Sequence, residues 1–353
     1  MREISWEAAG LLLVLVALNG CGATDPTGMG QDPEAAGPAP LLPQAIDGMP
    51  FQRGMVYGIF GRSGRRFHRA NLEALEALGV DSIEIVIPRA MDTIHSTELT
   101  DTDPWVTPSR ESLEQAVDEA HRLGMRVLLL PILFIQHLSG EEWRGSLEPA
   151  DWDRWWENYD AFIVDEAAWA ARQNVEMFSV GSELCSTERF TDRWAELIGR
   201  VREVFGGRVT YSANWDHLEQ LGFASLTDFV GMNAYHEVGK NGTDVAALVA
   251  AWDVILPRVE AWQQRVRRPL VVTEVGYQSR HGTTRAPWDY LGEGAPDPAE
   301  QDRAYRAFIE AWSRVPGLAG TYFYIWWDED DGGRGYTPRG KPAAETLKRW
   351  YNQ

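Results

Sequence analysis

The sequence has little of the chemistry that metalloenzymes, serine hydrolases and disulfide-stabilised proteins use. It contains only two cysteines, Cys21 and Cys185, and its seven histidines are scattered. No His-x-His or His-Glu-x-x-His pattern occurs, which argues against a catalytic metal. No Gly-x-Ser-x-Gly pattern occurs, which argues against a serine hydrolase. We therefore expect no metal site and no cofactor.

Basic residues and long apolar runs are also scarce. The 33 Lys and Arg are outnumbered by 52 Asp and Glu, which gives a net charge of −19. A field of this sign repels phosphate backbones, so we expect no nucleic-acid partner. The chain also lacks a glycine loop of the spacing that marks nucleotide-binding open sheets, since the nearest candidate, residues 58–64, has the wrong spacing. With 44% hydrophobic residues, the chain has the composition of an ordinary globular protein.

The longest apolar run lies near the N-terminus and is too short to span a membrane. Residues 8–18 form 11 apolar positions, which is typical of the core of a signal peptide. The following residues 18–21 resemble a bacterial lipobox, which would make Cys21 a lipidated N-terminus. The alternative is an ordinary signal peptide with an incidental cysteine. If the lipobox is used, Cys185 has no partner for a disulfide.

The domain organisation follows from this leader and from the composition after it. We predict a signal peptide with lipobox over 1–21, a flexible linker rich in Gly, Pro and Ala over 22–50, and one domain over 51–353. The implied location is the bacterial cell envelope, with the protein lipid-anchored on a periplasmic or extracellular face. We expect a monomer, although the sequence does not determine the oligomeric state.

From residue 51 onward, strand-like and helix-like segments alternate. Most strand candidates are continuous apolar runs, which favours parallel strands covered on both faces. With seven helical segments between them and a closing helix over 341–350, they predict a single-domain (β/α)8 TIM barrel. A doubly wound open sheet is the main alternative. The eight predicted strands cover residues 55–61, 82–87, 126–135, 175–180, 208–213, 228–234, 270–275 and 318–326.

Two glutamates stand at the ends of predicted strands. Glu183 follows the fourth strand and Glu274 ends the seventh. An ionised carboxylate in such a position is costly unless it is paired or used, and the carboxyl ends of barrel strands form the active face. Two carboxyl groups that share one pocket can hydrolyse a glycosidic bond, one as the acid and the other as the nucleophile. The alternative is that either glutamate belongs to a structural salt bridge.

Several motifs resemble those of a known family. Together they resemble glycoside hydrolase family 113, a clan A family whose characterised members are mainly retaining β-1,4-mannanases. The resemblance covers about residues 54–350. It implies that Glu183 is the acid/base and Glu274 the nucleophile. The motifs lie at 142–145, 178–184, 212–215, 273–277, 322–328 and 335–342.

The resemblance also suggests residues that contact the sugar. Many clan members have Asn before the acid/base, whereas this chain has Ser182, which we interpret as an adaptation to the axial 2-hydroxyl of mannose. In related barrels a tyrosine at the position of Tyr235 bonds the nucleophile. One of Trp326 and Trp327 is expected to form the floor of the −1 sugar site. Further substrate-binding candidates are Asn214, Trp215, Asn233, Trp143 and Arg144.

Each of these candidates has a plainer alternative. Trp215 stacks on a sugar or packs under a loop, Tyr235 is a bonding partner or a rim aromatic, and Arg144 binds hydroxyls or forms a structural salt bridge. The acidic run 328–331 binds Ca²⁺, lines the cleft or is simply solvated. The three tryptophans Trp152, Trp155 and Trp156 share one helix face, which is typical of packing.

The sequence thus predicts a cofactor-free retaining β-glycoside hydrolase. Its expected partners are a β-linked polysaccharide or oligosaccharide, β-mannan above others, and a membrane reached through the lipid anchor at Cys21. Two alternatives stay open, namely a related hydrolase of another β-glycan and a non-catalytic glycan-binding lipoprotein. Chain length of the substrate and endo or exo action are not determined by the sequence.

Overall fold

The computed structural model describes residues 40–59, 63–102, 107–327 and 333–353. Eight parallel strands close into a barrel in the order of the sequence. This arrangement is a single-domain (β/α)8 barrel, so the predicted fold is confirmed. The strands are β1 (Gln52–Tyr57), β2 (Ser82–Met91), β3 (Arg126–Ile135), β4 (Met177–Ser182), β5 (Arg208–Ala213), β6 (Val230–Asn233), β7 (Leu270–Val275) and β8 (Leu318–Trp326).

Helices surround the barrel. One connection differs from the predicted alternation, because the segment between β5 and β6 contains two short 3₁₀ turns, Leu218–Gln220 and Ala224–Leu226, and no α-helix. None of the helices in the described ranges is long and apolar enough to cross a membrane. The α-helices are α1 (Arg65–Ala77), α2 (Arg110–Arg122), α3 (Trp152–Arg172), α4 (Thr191–Val204), α5 (Val245–Val266), α6 (Pro298–Trp312) and α7 (Pro342–Tyr351).

Four of the seven α-helices, α2, α3, α5 and α6, begin at a capping side chain. Ser109, Asp151, Asp244 and Asp297 each accept a hydrogen bond from the backbone N–H three residues later. Such caps satisfy donors that the first helical turn leaves free. The predicted start of α6 at Asp297, with Pro298 at the first helical position, is present as expected.

Apolar side chains alternate along the strands between two buried clusters. In β3, Val127, Leu129 and Leu133 belong to the larger cluster, and Leu128 and Leu130 belong to the smaller one. Because successive side chains of a strand point to opposite faces, the larger cluster lies between barrel and helices and the smaller one fills the barrel. Burial on both faces explains why the strands read as continuous apolar runs.

One glycine permits close approach of the first and last strands. A Cβ at Gly54 would lie 2.5 Å from the carbonyl oxygen of Thr321 and from the ring of Tyr322. Gly54 pairs with Tyr322 in the register that closes the barrel. Any larger residue there would force the two strands apart, so this position depends on glycine.

The chain before residue 51 contributes to the domain. Met49 is buried and packs in the cluster that fills the barrel, and the amide of Gln52 lies 3.3 Å from its sulfur. This places part of the segment assigned to the linker at the N-terminal end of the strands. The signal peptide, Cys21, the first part of the linker and the acidic run 328–331 lie outside the described residues.

Candidate active site

The two glutamates lie together at the carboxyl ends of the strands. Glu183 follows β4 directly and Glu274 is the next-to-last residue of β7. Both are almost fully buried, with 3% and 2% of their surface exposed. Asn233 connects them, because it pairs with Glu274 in the strand register while its side-chain amide bonds Glu183. Fold closure thus brings two carboxylates 91 residues apart in sequence to one site.

Glu183 is held by two donors. Arg144 Nη2 lies 2.6 Å from Glu183 Oε2, and Asn233 Nδ2 donates to Oε1 over 2.8 Å. The backbone of Glu183 is left-handed, with a φ of 56°, a conformation that costs a non-glycine residue about 1 kcal/mol or more. The surrounding bonds hold this conformation and aim the carboxylate into the site.

Asn233 is itself fixed from behind. Its Oδ1 accepts hydrogen bonds from Ser212 Oγ at 2.8 Å and from Thr273 Oγ1 at 3.0 Å. All three side chains are fully buried. Because the acceptor end is occupied by two hydroxyls, the amide must present its N–H to Glu183. A network of this kind defines one orientation for the carboxylate.

Glu274 accepts a hydrogen bond from Tyr235 Oη at 3.0 Å, the contact that the family resemblance implies. Burial raises the pKa of Glu274, and the charge of Glu183 raises it further, to about 8. The charge of Arg144 and the Tyr235 hydrogen bond act in the opposite direction. Near neutral pH, the Glu274 carboxyl of the free site therefore holds a proton.

A third carboxyl lies close by and was missed in the sequence. Glu84, on β2, is completely buried, and neither of its oxygens has a hydrogen-bond partner among the described residues. Burial raises its pKa well above the usual range, and the nearby Glu274 adds to the shift. Burial therefore favours the uncharged form of Glu84. The signal that singled out Glu183 and Glu274, a carboxylate in an apolar strand, also applied to it.

Trp326, the last residue of β8, and Trp327, which follows it, lie on opposite sides of the barrel wall, as the alternation of side chains along a strand predicts. Trp326 is buried among the helices and donates from Nε1 to Asn71 Oδ1 over 3.1 Å. Trp327 is partly exposed and packs against the cluster inside the barrel. Trp327 is thus the one that can face a sugar. The peptide bond between Tyr324 and Ile325 is cis.

Other candidates take different positions around the site. Ser182 is buried, and its hydroxyl has no partner among the described residues. Asn214 is buried and donates to Asp216 Oδ1 over 2.8 Å. Trp143 is partly exposed and stands beside Arg144 in the loop after β3. All of these residues follow or end barrel strands, and Arg144 reaches the carboxylates directly.

Trp215 packs against His236 and lines a groove beside the mouth of the barrel. Its ring lies 5.0 Å from that of His236, and a surface cavity of about 390 Å³ extends from it along α5 past Val254 and Arg258. Burial lowers the pKa of His236 to about 3, so this ring is neutral. The groove offers one aromatic face next to polar and charged side chains, which suits a sugar.

The predicted packing tryptophans Trp155 and Trp156 are buried.

Two groups of side chains have the composition of a metal site. Cys185, Glu188 and His217 have potential ligand atoms that all lie within 4.8 Å of one another, and so have His281, Asp297 and Glu300. In the second group His281 is largely exposed, and Glu300 already accepts from Gly282, from the Thr284 backbone and from its hydroxyl. Neither group touches Glu274. The sequence showed no ligand spacing for either.

Comparison with known proteins shows which family and which solved structures this chain is similar to. The sequence model of Glycoside Hydrolase Family 113 matches residues 55–334. The family 113 β-mannanase of Alicyclobacillus acidocaldarius, in complex with ManMIm, has a TM-score of 0.76 at 27% identity, covering 86% of this chain and 98% of that one. A second family 113 β-1,4-mannanase gives 0.76 at 26%, covering 86% and 100%. No curated protein matches the chain.

More distant barrels share the fold alone. A family 5 mannosidase from Rhizomucor miehei has a TM-score of 0.56 at 10% identity, covering 89% of this chain and 97% of that one.

Proposed function

Because the chain belongs to glycoside hydrolase family 113, we propose that it is a retaining β-1,4-mannanase or manno-oligosaccharide hydrolase. In this proposal Glu183 is the acid/base and Glu274 the nucleophile. The observation that carries it is the pair of buried carboxylates at the carboxyl ends of β4 and β7, joined through Asn233. A retaining mechanism requires the two carboxyl groups to stand about 5–5.5 Å apart.

The first half of the reaction forms a covalent intermediate. Glu183, in its protonated form, gives its proton to the glycosidic oxygen while Glu274 Oε attacks the anomeric carbon. The carbon–oxygen bond to the leaving sugar breaks, and a glycosyl ester with Glu274 forms. Tyr235 holds the attacking carboxylate by its 3.0 Å hydrogen bond. In the second half Glu183 takes a proton from water, the water oxygen attacks the same carbon, and Glu274 is released.

The free site must redistribute its proton when substrate binds. Arg144 and Asn233 both donate to Glu183 in the free state, while the raised pKa of Glu274, about 8, leaves a proton on Glu274 near neutral pH. Catalysis needs the opposite arrangement, with the proton on Glu183. Arg144 also lowers the pKa of Glu274, so a turn of its guanidinium from Glu183 toward Glu274 would move the proton in the required direction.

The remaining candidates bind sugar. We assign the floor of the −1 site to Trp327, which is partly exposed and borders the barrel interior. The unpartnered hydroxyl of Ser182 is available to a sugar hydroxyl. Trp215 supplies a stacking face at the start of the groove along α5. Asn214 and Trp143 complete the rim.

The test is release of reducing sugar from β-mannan, xylan and β-glucan by the purified protein, followed by NMR of the first-formed anomer. We expect release from mannan with the β-anomer formed first. Glu274→Gln should abolish it, whereas Glu203→Gln, an exposed glutamate on α4, is the matched control and should not. Initial formation of the α-anomer would overturn the retaining mechanism.

The same assay separates the alternatives. Release from xylan or β-glucan but not from mannan would assign the chain to a related β-glycan. Binding of mannan without turnover, unchanged in Glu274→Gln, would identify a glycan-binding protein. The buried carboxylate pair argues against that last outcome. Burying two carboxylates costs free energy, and binding a neutral glycan does not require them.

We also propose that the protein is exported and lipid-anchored at Cys21 in a bacterial cell envelope. The apolar run 8–18 and the lipobox-like residues after it support this. Detergent-phase partition of the expressed protein should be lost in Cys21→Ala.

A further inference from the structure

A cluster of three potential metal ligands lies beside Glu183 without taking part in the proposed reaction. Cys185 and Glu188 are buried, and His217 is 27% exposed. Their ligand atoms all lie within 4.8 Å of one another. We propose that Cys185, Glu188 and His217 bind a divalent cation of the zinc class and that the cation fastens the loop after β4 to the loop after β5.

The local structure explains why the three side chains meet. Cys185 begins the 3₁₀ turn Cys185–Thr187, and Glu188 ends it with a backbone bond to the Cys185 carbonyl. In a 3₁₀ turn the side chains at i and i+3 eclipse one another, so both project to the same side. His217 follows the adjacent strand β5 and is held by a backbone bond from its N–H to the Asn214 carbonyl at 3.0 Å.

The donor set and spacing fit a tetrahedral ion. Thiolate, imidazole and carboxylate are the three ligand types that zinc takes in proteins. His217 Nδ1 lies 3.2 Å from Glu188 Oε2, close to the edge of about 3.3 Å between two tetrahedral ligands at zinc bond lengths. A cation would replace the proton of that hydrogen bond, and the thiol proton of Cys185 would leave to solvent.

The surroundings of the cluster also favour a cation. The second carboxylate oxygen of Glu188, Oε1, accepts a 2.9 Å hydrogen bond from Tyr211 Oη, and Tyr211 in turn accepts from the Leu184 N–H at 2.8 Å. Outer-shell bonds of this kind orient metal ligands. The charge of Asp216 acts on all three side chains, and Asp216 lines the open groove. With three protein ligands, the fourth position is left for water.

At this position a cation would stabilise two loops of the active site. Cys185 is two residues after Glu183, and His217 is two residues after Trp215. A bond from each loop to one ion would restrain the acid/base and the stacking face together. This inference does not depend on which glycan is cleaved, so the site can be tested without a substrate.

The experiment is titration of the full-length reduced protein with Co²⁺, followed by absorption spectroscopy. We expect one cobalt per chain, visible bands of a tetrahedral site and a near-ultraviolet thiolate-to-cobalt band, with Zn²⁺ displacing the cobalt and raising Tm. In Cys185→Ser the thiolate band should vanish, and the affinity should fall at least about tenfold. His217→Gln, on the partly exposed ligand, should weaken binding similarly and serves if the cysteine variant does not fold.

Two controls separate this site from other ligands. Cys21→Ser removes the other cysteine, and His281→Ala removes a ligand from the second cluster; both should leave the spectrum and the stoichiometry unchanged. A thiolate band that persists in Cys185→Ser, one that is lost in Cys21→Ser, or the absence of any thiolate band from the wild type would overturn the proposal.

Discussion

Asn233, at the end of the sixth strand, donates a 2.8 Å hydrogen bond to Oε1 of Glu183, which follows the fourth. The amide is oriented by Ser212 and Thr273, hydroxyl residues on the intervening and following strands. An asparagine on another strand thus supports Glu183, the proposed acid/base, in a chain that has Ser182 where many clan A members have asparagine. The bond connects positions 50 residues apart.

Loss of this bond should reduce turnover. In Asn233→Ala, Glu183 loses one of its two donors, and we expect kcat to fall about 100-fold, since a catalytic group misplaced by about 1 Å costs that much. Ser212→Ala, which removes only one anchor of the amide, should cost less. Steady-state kinetics on mannan would measure both, and an unchanged kcat in Asn233→Ala would contradict the positioning role.

The acid/base assignment predicts a dependence on the leaving group. Glu183→Gln cannot protonate the glycosidic oxygen, so activity on mannan should fall about 10²–10⁴-fold. A mannoside with an acidic phenol as leaving group needs little protonation and should still form the glycosyl intermediate. Added azide should then restore turnover. Equal losses on both substrates would show that Glu183 does not act as the acid.

The pH profile should report the raised pKa of Glu274. Burial and the charge of Glu183 raise this pKa to about 8, and the proposed acid step needs a proton in the site, which Glu274 holds in the free protein below that pH. As pH rises through about 8 that proton is lost, so kcat/KM should fall above this value. Tyr235 lowers this pKa, so its removal in Tyr235→Phe should move the alkaline limb to higher pH. A limb that stays in place or moves down would contradict the assignment.

Ser182 should contribute to sugar preference. Its buried hydroxyl has no partner among the described residues, so a bond to a sugar hydroxyl would be lost in Ser182→Ala at a cost of about tenfold in kcat/KM. Ser182→Asn should shift the ratio of kcat/KM for manno- over gluco-configured substrates downward. If neither variant changes that ratio, the serine is not an adaptation to the axial 2-hydroxyl.

Stability at low pH should depend on Glu119. This buried carboxylate of α2 pairs with Arg69, Arg122 and Arg65, and Arg69 first among them lowers its pKa to about 2. Because the folded pKa lies below the unfolded value of about 4.3, its contribution is complete above that pH and disappears as the pH falls toward 2.

Glu119→Gln should therefore lower the free energy of unfolding by about 1–2 kcal/mol at pH 7, a modest figure because its arginine partners are half-exposed. The difference from wild type should shrink toward pH 2. Urea denaturation at both pH values would measure it, with the exposed Glu73→Gln as control, expected within about 0.5 kcal/mol of wild type. A difference independent of pH would contradict the ion-pair explanation.

Much of the fold was readable from local patterns. Four strands have the predicted bounds, β3, β5, β7 and β8, because a parallel strand buried on both faces is an uninterrupted apolar run. The prediction failed between β5 and β6, where the structure has two 3₁₀ turns in place of a helix. β6 is only four residues long, Val230–Asn233, because pairing with its neighbours, which local sequence does not encode, sets where a strand ends.

The sequence by itself determined the barrel, the family and the two glutamates, because alternation, apolar runs and strand-end carboxylates are local signals. Tertiary structure alone decided the partners of Glu183, whereas the family resemblance already implied the bond from Tyr235 to Glu274. Asn233 and Arg144 reach Glu183 from two separate segments, and Trp327 rather than Trp326 borders the barrel interior. Burial of Glu84 beside Glu274 and the meeting of Cys185 with His217 arise only when the barrel closes, since such contacts depend on distances across the fold rather than along the chain.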